Sequence, residues 1–497
     1  MSPITPVELA ARLGRWSAGR GPLYLLLAGR LRALIDDGEL PPGTGLPTDR
    51  ALAAGLSAGR TTVVAAYDLL RQEGRLIRRQ GSGTWVAGSD QPSKSDPPIS
   101  PVFLNLLDPP DRVAQFACAG PTAAPVEVRT ALRTAVDTMT GPDLGYHPAG
   151  HPRLRVALAD RYTARGVPTT PDQILVTTGG QQALALVARA LVAPGAEVLL
   201  QAPTYPGALE IFRESAAALR PVPAEAYASS LRRRPALAYL IPICHNPTGQ
   251  TLPADDRRAI VAASRESGVP LLIDDVLADL SFPRTPAADL SAADLSAADL
   301  SGTGLSGTGR EEPMAAYAPG ADELITVGSL SKLIWAGLRV GWVRAQPPLI
   351  ARLARLKAVH DLGSGVLEQL AAISLLADLD TLIATRVRIL AAQHDHLCSE
   401  LRRLLPSWTF TPAAGGQTLW VRLPHGDAAS YAQTALRYGV AVLPGASLDP
   451  SGASTSFLRL PFVADPPTLT ATLESLAAAW HTPPPPATPR PLPSIAV

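Results

Sequence analysis

Five continuously apolar runs do most to limit what this chain can become: ILVTT (174–178), EVLLQA (197–202), LAYLIPI (237–243), PLLIDDV (270–276) and ELITVGS (323–329). None alternates apolar with polar, so each suits a strand buried on both faces, as in a mostly parallel sheet covered by helices. Helical stretches separate the runs between about residues 113 and 480, and the pattern reads as α/β. In such sheets ligands collect at the carboxyl ends of the strands. The polar motifs fall there. Gly-Gly-Gln-Gln (179–182) follows the first run and Cys-His-Asn-Pro-Thr-Gly (244–249) the third. Asp274-Asp275 sits in the fourth, and Gly-Ser-Leu-Ser-Lys (328–332) closes the fifth, ahead of GLRVGW (337–342).

Lysine is scarce enough to be informative. Of 44 Lys and Arg residues, only Lys94, Lys332 and Lys357 are lysines. A lysine at a strand end can form a Schiff base, and burial lowers its pKa so that the neutral amine is available. A buried carboxylate such as Asp274 can keep a pyridine nitrogen protonated. Ser329, Ser331 and Arg339, with the helix N-terminus at Gly180 and Gln181, can neutralise a phosphate. Together these residues describe a site for a phosphorylated aldehyde with a basic ring nitrogen.

The N-terminal stretch is built differently. Residues 1–88 carry 11 Arg and no Lys against 7 acids, a local excess of positive charge hidden by the whole-chain net of +1. Leu23, Leu27, Leu31 and Leu34 recur at helical spacing. Thr48 is placed to cap a short helix, and a turn leads into RTTVVAAYDLLRQEG with Val63, Tyr67 and Leu70 inward. Two short strands, LIRRQ and TWVA, follow around Gly81-Ser82-Gly83. Arg60, Thr61 and Thr62 at a helix N-terminus can meet DNA, with Arg50, Arg78 and Arg79 on flanking phosphates.

This stretch, over roughly residues 21–88, resembles the GntR family of winged helix-turn-helix regulators. The resemblance implies double-stranded operator DNA as partner and Arg50, Arg60, Thr61, Thr62 and Gly81 as contacts. Gly59 stands where that family usually has Ser before the recognition helix, and weaker capping is expected. The remainder resembles the fold-type I pyridoxal-phosphate superfamily of aspartate aminotransferase over about residues 113–480, and the fusion resembles the MocR subfamily. That resemblance implies pyridoxal 5'-phosphate as cofactor. Lys332 would bind its aldehyde, Asp274 its ring nitrogen and Asn246 its ring hydroxyl, with Tyr205 stacked on the ring. Gly180, Gln181, Ser329, Ser331 and Arg339 would hold the phosphate. Tyr146 would reach the phosphate of the neighbouring subunit's cofactor, which implies a homodimer, and Arg459 would pair with an amino-acid carboxylate. Two positions depart from the pattern: Leu277 replaces a ring-oxygen Tyr, and Ala336 a Pro. Cofactor binding is expected to survive them, and efficient transamination is not.

The expected architecture is thus a DNA-binding head over 1–87, a linker over 88–112, an aminotransferase-like domain over 113–480 and a Pro-rich tail over 481–497. The three tandem AADLS copies of 287–301, within a low-complexity stretch over 286–309, read as a surface insertion without chemistry. Cys118, Cys244 and Cys398 suit neither a disulfide framework nor a zinc cluster, so a reducing, cytoplasmic setting is expected. No signal pattern and no membrane-length apolar run stands out. No metal site is expected: Pro148, Gly150 and Pro152 forbid the helix that would align His147 with His151, and His394 and His396 read as a solvated helix face. The functional expectation is a regulator sensing a small amino compound or the cofactor itself. An active aminotransferase with an accessory head, and a regulator whose large domain is a cofactor-free dimerisation scaffold, remain open.

Overall fold

The computed structural model describes residues 4–14, 16–17, 22–36, 39–56, 58–72, 75–79, 83–87, 113–283 and 311–481. Gly81, the 88–112 linker, the AADLS stretch and the tail beyond His481 lie outside the described residues. The chain divides into two compact units, residues 1–99 and 100–497.

In the first unit, helices α1 (Pro6–Leu13), α2 (Leu23–Asp36), α3 (Asp49–Gly55) and α4 (Arg60–Gln72) surround an apolar centre. Leu27, Leu31, Leu34, Val63 and Leu70 meet there, joined by Leu9 and Leu13 of α1, a helix the sequence reading passed over. The Thr48 hydroxyl caps α3 by accepting from the Ala51 N–H at 3.3 Å. Strands β1 (Gly45–Leu46), β2 (Leu76–Arg79) and β3 (Gly83–Val86) form an antiparallel sheet in the order β1–β3–β2. Helix, helix-turn-helix and a hairpin wing follow in the order expected.

The second unit is centred on seven strands: β5 (Ile174–Thr177), β6 (Glu197–Gln201), β7 (Ala218–Val222), β8 (Leu237–Leu240), β9 (Leu271–Asp274), β10 (Leu324–Ser329) and β11 (Gly341–Arg344). Their order is β5–β11–β10–β9–β8–β6–β7, and only β11 runs antiparallel to its neighbours. The five apolar runs all become strands. The two strands they did not foretell are less apolar. β7 is a half-exposed edge strand holding Pro221, whose missing N–H is harmless there. β11 ends in Arg344, buried because its guanidinium donates to the Thr169 hydroxyl and to the Pro168 and Pro319 carbonyls.

A second sheet, of five strands, closes the unit. Its members are β4 (Ala114–Phe116), β12 (Thr409–Phe410), β13 (Thr418–Arg422), β14 (Val440–Pro444) and β15 (Phe457–Pro461). β4 feeds directly into residues 117–120, and β15 carries Arg459, so this sheet delivers two parts of the site described next. No helix among the described residues is long and apolar enough to cross a membrane.

Candidate functional site

Beyond the end of β5 the chain turns through Gly179, at φ +107°, into the helix Gly180–Leu191. The free N–H groups of its first turn form an anion site. Gly341 sits against this turn: a Cβ there would lie 2.7 Å from the Gly179 carbonyl carbon. Arg339 lies alongside, one guanidinium nitrogen donating to the Thr178 carbonyl and the other to the Ala336 carbonyl at 3.3 Å. Ser329 caps the short helix Leu330–Leu333, accepting from the Ser331 N–H and donating to the Val340 carbonyl, both at 3.1 Å. The Ser331 hydroxyl is buried without a partner. A sealed, unpaired donor beside a helix N-terminus and an arginine suits a phosphate oxygen, so these residues fit the cofactor's phosphate.

Gln181 differs from expectation in one respect. Its side chain donates to the Gly207 carbonyl at 3.1 Å and accepts from the Tyr205 hydroxyl at 2.9 Å. A phosphate contact from Gln181 therefore falls to its backbone N–H, while its amide positions Tyr205. Burial, foremost, and the Asp274 charge push the Tyr205 hydroxyl up to about 12, so it stays a donor.

Asp274 ends β9 and is 6% exposed. One oxygen accepts from the Tyr239 hydroxyl at 2.8 Å and the other from the Val276 N–H at 3.1 Å. Burial raises its pKa, against those two hydrogen bonds. A cationic ring nitrogen would offset that cost. Tyr239 escaped the sequence reading because it lies inside an apolar run. The hydroxyl in that run was the available signal: Tyr239 pairs with Leu272, two residues before Asp274 and thus on the same sheet face.

Lys332 and Arg459 face the segment from Ala117 to Gly120. The Lys332 amine donates to the Ala119 carbonyl, and an Arg459 nitrogen donates to the Ala117 carbonyl. Cys118 lies between those two carbonyls in sequence. Burial lowers the Lys332 pKa; Arg459 and Arg339 add to this and Cys118 opposes it. Arg459, 3% exposed, is lowered to about 10 by burial. Its other hydrogen bond runs to the Asn246 side-chain oxygen at 3.3 Å, and its Nε has no partner. A buried guanidinium held only by neutral oxygens suits a carboxylate ligand.

The structure thus brings Gly180, Gln181, Tyr205, Asn246, Asp274, Ser329, Ser331, Lys332, Arg339 and Arg459 to the strand ends. Tyr146 is 66% exposed on its loop. Leu277 is buried in the apolar core with Ala278 and Leu280 and offers no hydroxyl. Cys244 is buried just beyond β8, its thiol pushed up to about 12 by burial. His394 corrects the solvated-face expectation. It is 4% exposed, packs against Phe282 and Phe462, and takes the Ala413 N–H on Nε2 at 3.0 Å. Cys398 lies 3.4 Å from the same nitrogen, but burial raises its thiol to about 11. That group ties helix to loop and does not make a nucleophile.

In the head, Arg60 is 62% exposed and paired with Asp49 at 2.6 Å, which holds the Asp49 carboxyl below its usual range. Arg50 on α3, Thr61 on α4 and Arg78 on β2 are exposed, and Thr62 on α4 is half-buried.

Fold and site define a protein with a winged helix-turn-helix head and a fold-type I pyridoxal-phosphate-type large unit. Residues 120–476 match the family of aminotransferase class I and II, and residues 23–86 match the gntR family of bacterial regulatory proteins. The chain belongs to the aminotransferase class I and II family and has the fused architecture of MocR-type regulators. It is 28% identical over 403 residues to the HTH-type pyridoxine biosynthesis transcriptional regulator PdxR of Corynebacterium glutamicum, covering 78% of this chain and 81% of that one. It is 29% identical over 352 residues to the probable rhizopine catabolism regulatory protein MocR of Rhizobium meliloti, covering 66% of each. Among solved structures it is similar to LysN, the α-aminoadipate aminotransferase of Thermus thermophilus complexed with N-(5'-phosphopyridoxyl)-L-leucine. The TM-score is 0.64 at 28% identity, over 76% of this chain and 94% of that one.

Proposed function

We propose that this chain is a DNA-binding transcriptional regulator that holds pyridoxal 5'-phosphate in its large unit and reads a small amino acid there. The reading rests chiefly on one observation: Lys332, half-buried in the short helix that follows β10, and Arg459, buried on β15, reach the carbonyls of Ala119 and Ala117. An amine whose pKa burial lowers and a guanidinium that flank one short segment can serve an α-amino group and its carboxylate together. When bound, the cofactor supplies an electrophilic carbon and an electron-withdrawing ring. Asp274 would hold the ring nitrogen, Asn246 the ring hydroxyl and Tyr205 the ring face. The turn at Gly180, with Ser329, Ser331 and Arg339, would hold the phosphate. Lys332 would present its amine, and Arg459 would orient the ligand's carboxylate. Tyr146 of each chain would complete the site of a second copy in a homodimer. Leu277 leaves the ring oxygen with one donor fewer, which favours sensing over turnover.

The test is an absorbance titration of the full chain with pyridoxal phosphate, followed by a panel of amino acids and amines. Borohydride reduction with peptide mapping and DNA mobility shifts complete it. Expected are a coloured protein, a reduced adduct on Lys332, and a ligand-dependent change in DNA affinity lost in Lys332→Ala. A colourless protein without an adduct would refute the cofactor reading. DNA binding indifferent to both the cofactor and Lys332→Ala would leave the large unit as a scaffold.

A further inference from the structure

We propose a divalent transition-metal site, of the Zn²⁺, Co²⁺ or Ni²⁺ class, formed by Asp143, His147 and His151 on the loop that carries Tyr146. The loop brings these side chains together without the helix that its prolines and glycine exclude: one ligand atom from each of the three residues lies within 4.8 Å of the other two. Asp143 Oδ2 is 3.0 Å from His147 Nε2, and the two imidazoles lie 5.1 Å apart, nearly edge to face. Nδ1 of His151 is buried without a hydrogen-bond partner. An unpaired imidazole nitrogen beside an imidazole and a carboxylate is a donor set without its acceptor.

The backbone bearing these side chains is fixed on several sides, which separates it from a chance meeting on a loose loop. Gly150 turns at φ +103° against Val176, with no room for a Cβ, and its N–H donates to the His147 carbonyl at 2.8 Å. The His151 N–H donates to the Gln369 side chain at 2.6 Å, and Gly363 lies directly on the His147 backbone. The second Asp143 oxygen accepts from the Gly145 N–H at 2.8 Å, which orients the carboxylate as outer contacts orient metal ligands. Ligand atoms on a tetrahedral ion lie roughly 3.3 Å apart for bonds of about 2.0 Å, so side-chain rotations suffice to close the set. Two imidazoles and one carboxylate suit borderline ions better than Mg²⁺ or Ca²⁺, and three ligands leave a position for water. Tyr146 lies between Asp143 and His147 in sequence, so a bound ion would fix the stretch that presents it.

The site is tested on untagged, chelator-treated, cofactor-loaded full chain by calorimetric titration with Zn²⁺ and by the visible ligand-field bands of Co²⁺. One ion per chain is expected, with Co²⁺ bands of a low-coordinate nitrogen–oxygen site. His147→Gln, His151→Gln and Asp143→Asn should each weaken binding by at least about tenfold, the scale of losing even an outer contact. Cys118→Ser should leave binding unchanged, which separates this loop from the thiol near Lys332. Near-ultraviolet circular dichroism and cofactor absorbance check that each variant is folded. Absence of stoichiometric binding to the unaltered chain, or affinity the same in all three folded ligand variants, overturns the proposal. Neither result depends on whether an amino acid is sensed at Lys332.

Discussion

Asp274 and Asp275 are neighbours that the strand pleat sends to opposite faces of the sheet, and the difference between them can be measured. Asp275 faces the side of Tyr162, Trp342 and the Arg165–Asp279 pair, and one of its oxygens is buried without a partner. Burial, foremost, and the charges of Asp274 and Asp279 raise its pKa from 3.8 to about 7, against Arg165 and Arg257. A raised carboxyl pKa means that the folded chain holds a proton the unfolded chain has released. Stability must therefore fall as pH climbs from the unfolded pKa to the folded one. At about 1.4 kcal/mol per pH unit, the whole shift corresponds to about 4 kcal/mol, of which about 2–3 kcal/mol falls between pH 5 and pH 8.

Asp275→Asn keeps the shape and removes the titration. Its stability relative to the unaltered chain should improve by about 2–3 kcal/mol between pH 5 and pH 8, whatever constant offset the substitution adds. The assay is urea unfolding of the cofactor-free chain at several pH values, followed by tryptophan fluorescence. Asp275→Asn should leave affinity for pyridoxal phosphate unchanged, whereas Asp274→Asn should weaken it. Parallel stability curves for the variant and the unaltered chain would refute the linkage argument. Loss of cofactor affinity on Asp275→Asn, with retention on Asp274→Asn, would refute the assignment of faces.

Arg459→Met should weaken amino-acid binding by roughly 10- to 100-fold, the scale of a lost charge-assisted contact, and spare amines without a carboxylate. Ligand-dependent absorbance changes measure both. Gly341→Ala places a methyl 2.7 Å from the Gly179 backbone, so it should disturb the phosphate turn and cost about 1–3 kcal/mol of stability. Equilibrium dialysis with pyridoxal phosphate and thermal unfolding check it. Arg60→Ala should weaken DNA binding across sequences and reduce the slope of log K against log salt by about one if Arg60 meets a phosphate. Asp49→Asn, by freeing that arginine, should strengthen binding. Fluorescence anisotropy at several salt concentrations reads both.

What could be read in the sequence follows the kind of force that places each residue. Strands buried on both faces announce themselves as apolar runs, and a polar motif at the end of such a run is already placed at a ligand crevice. That is how Lys332, Asp274 and Arg339 could be named, whereas the role of Asn246 comes from the family resemblance. Tyr239 and the carbonyls of Ala117 and Ala119 enter by register and backbone, neither of which leaves a mark in composition. His394 departs from the solvated-face expectation because its Nε2 is satisfied by the N–H of Ala413, far along the chain. Local reasoning gives His147 and His151 no meeting point, because Pro148, Gly150 and Pro152 exclude the helix on which residues four apart align. A turn with Gly150 at positive φ brings them together equally well, and adds Asp143 from four residues further back. Prolines and glycines that exclude a helix therefore do not exclude convergence. They change which element achieves it, and the question to ask of such a loop is what holds its backbone. Here Val176, Gln369 and Gly363 do so, and all three lie beyond the reach of local sequence reasoning.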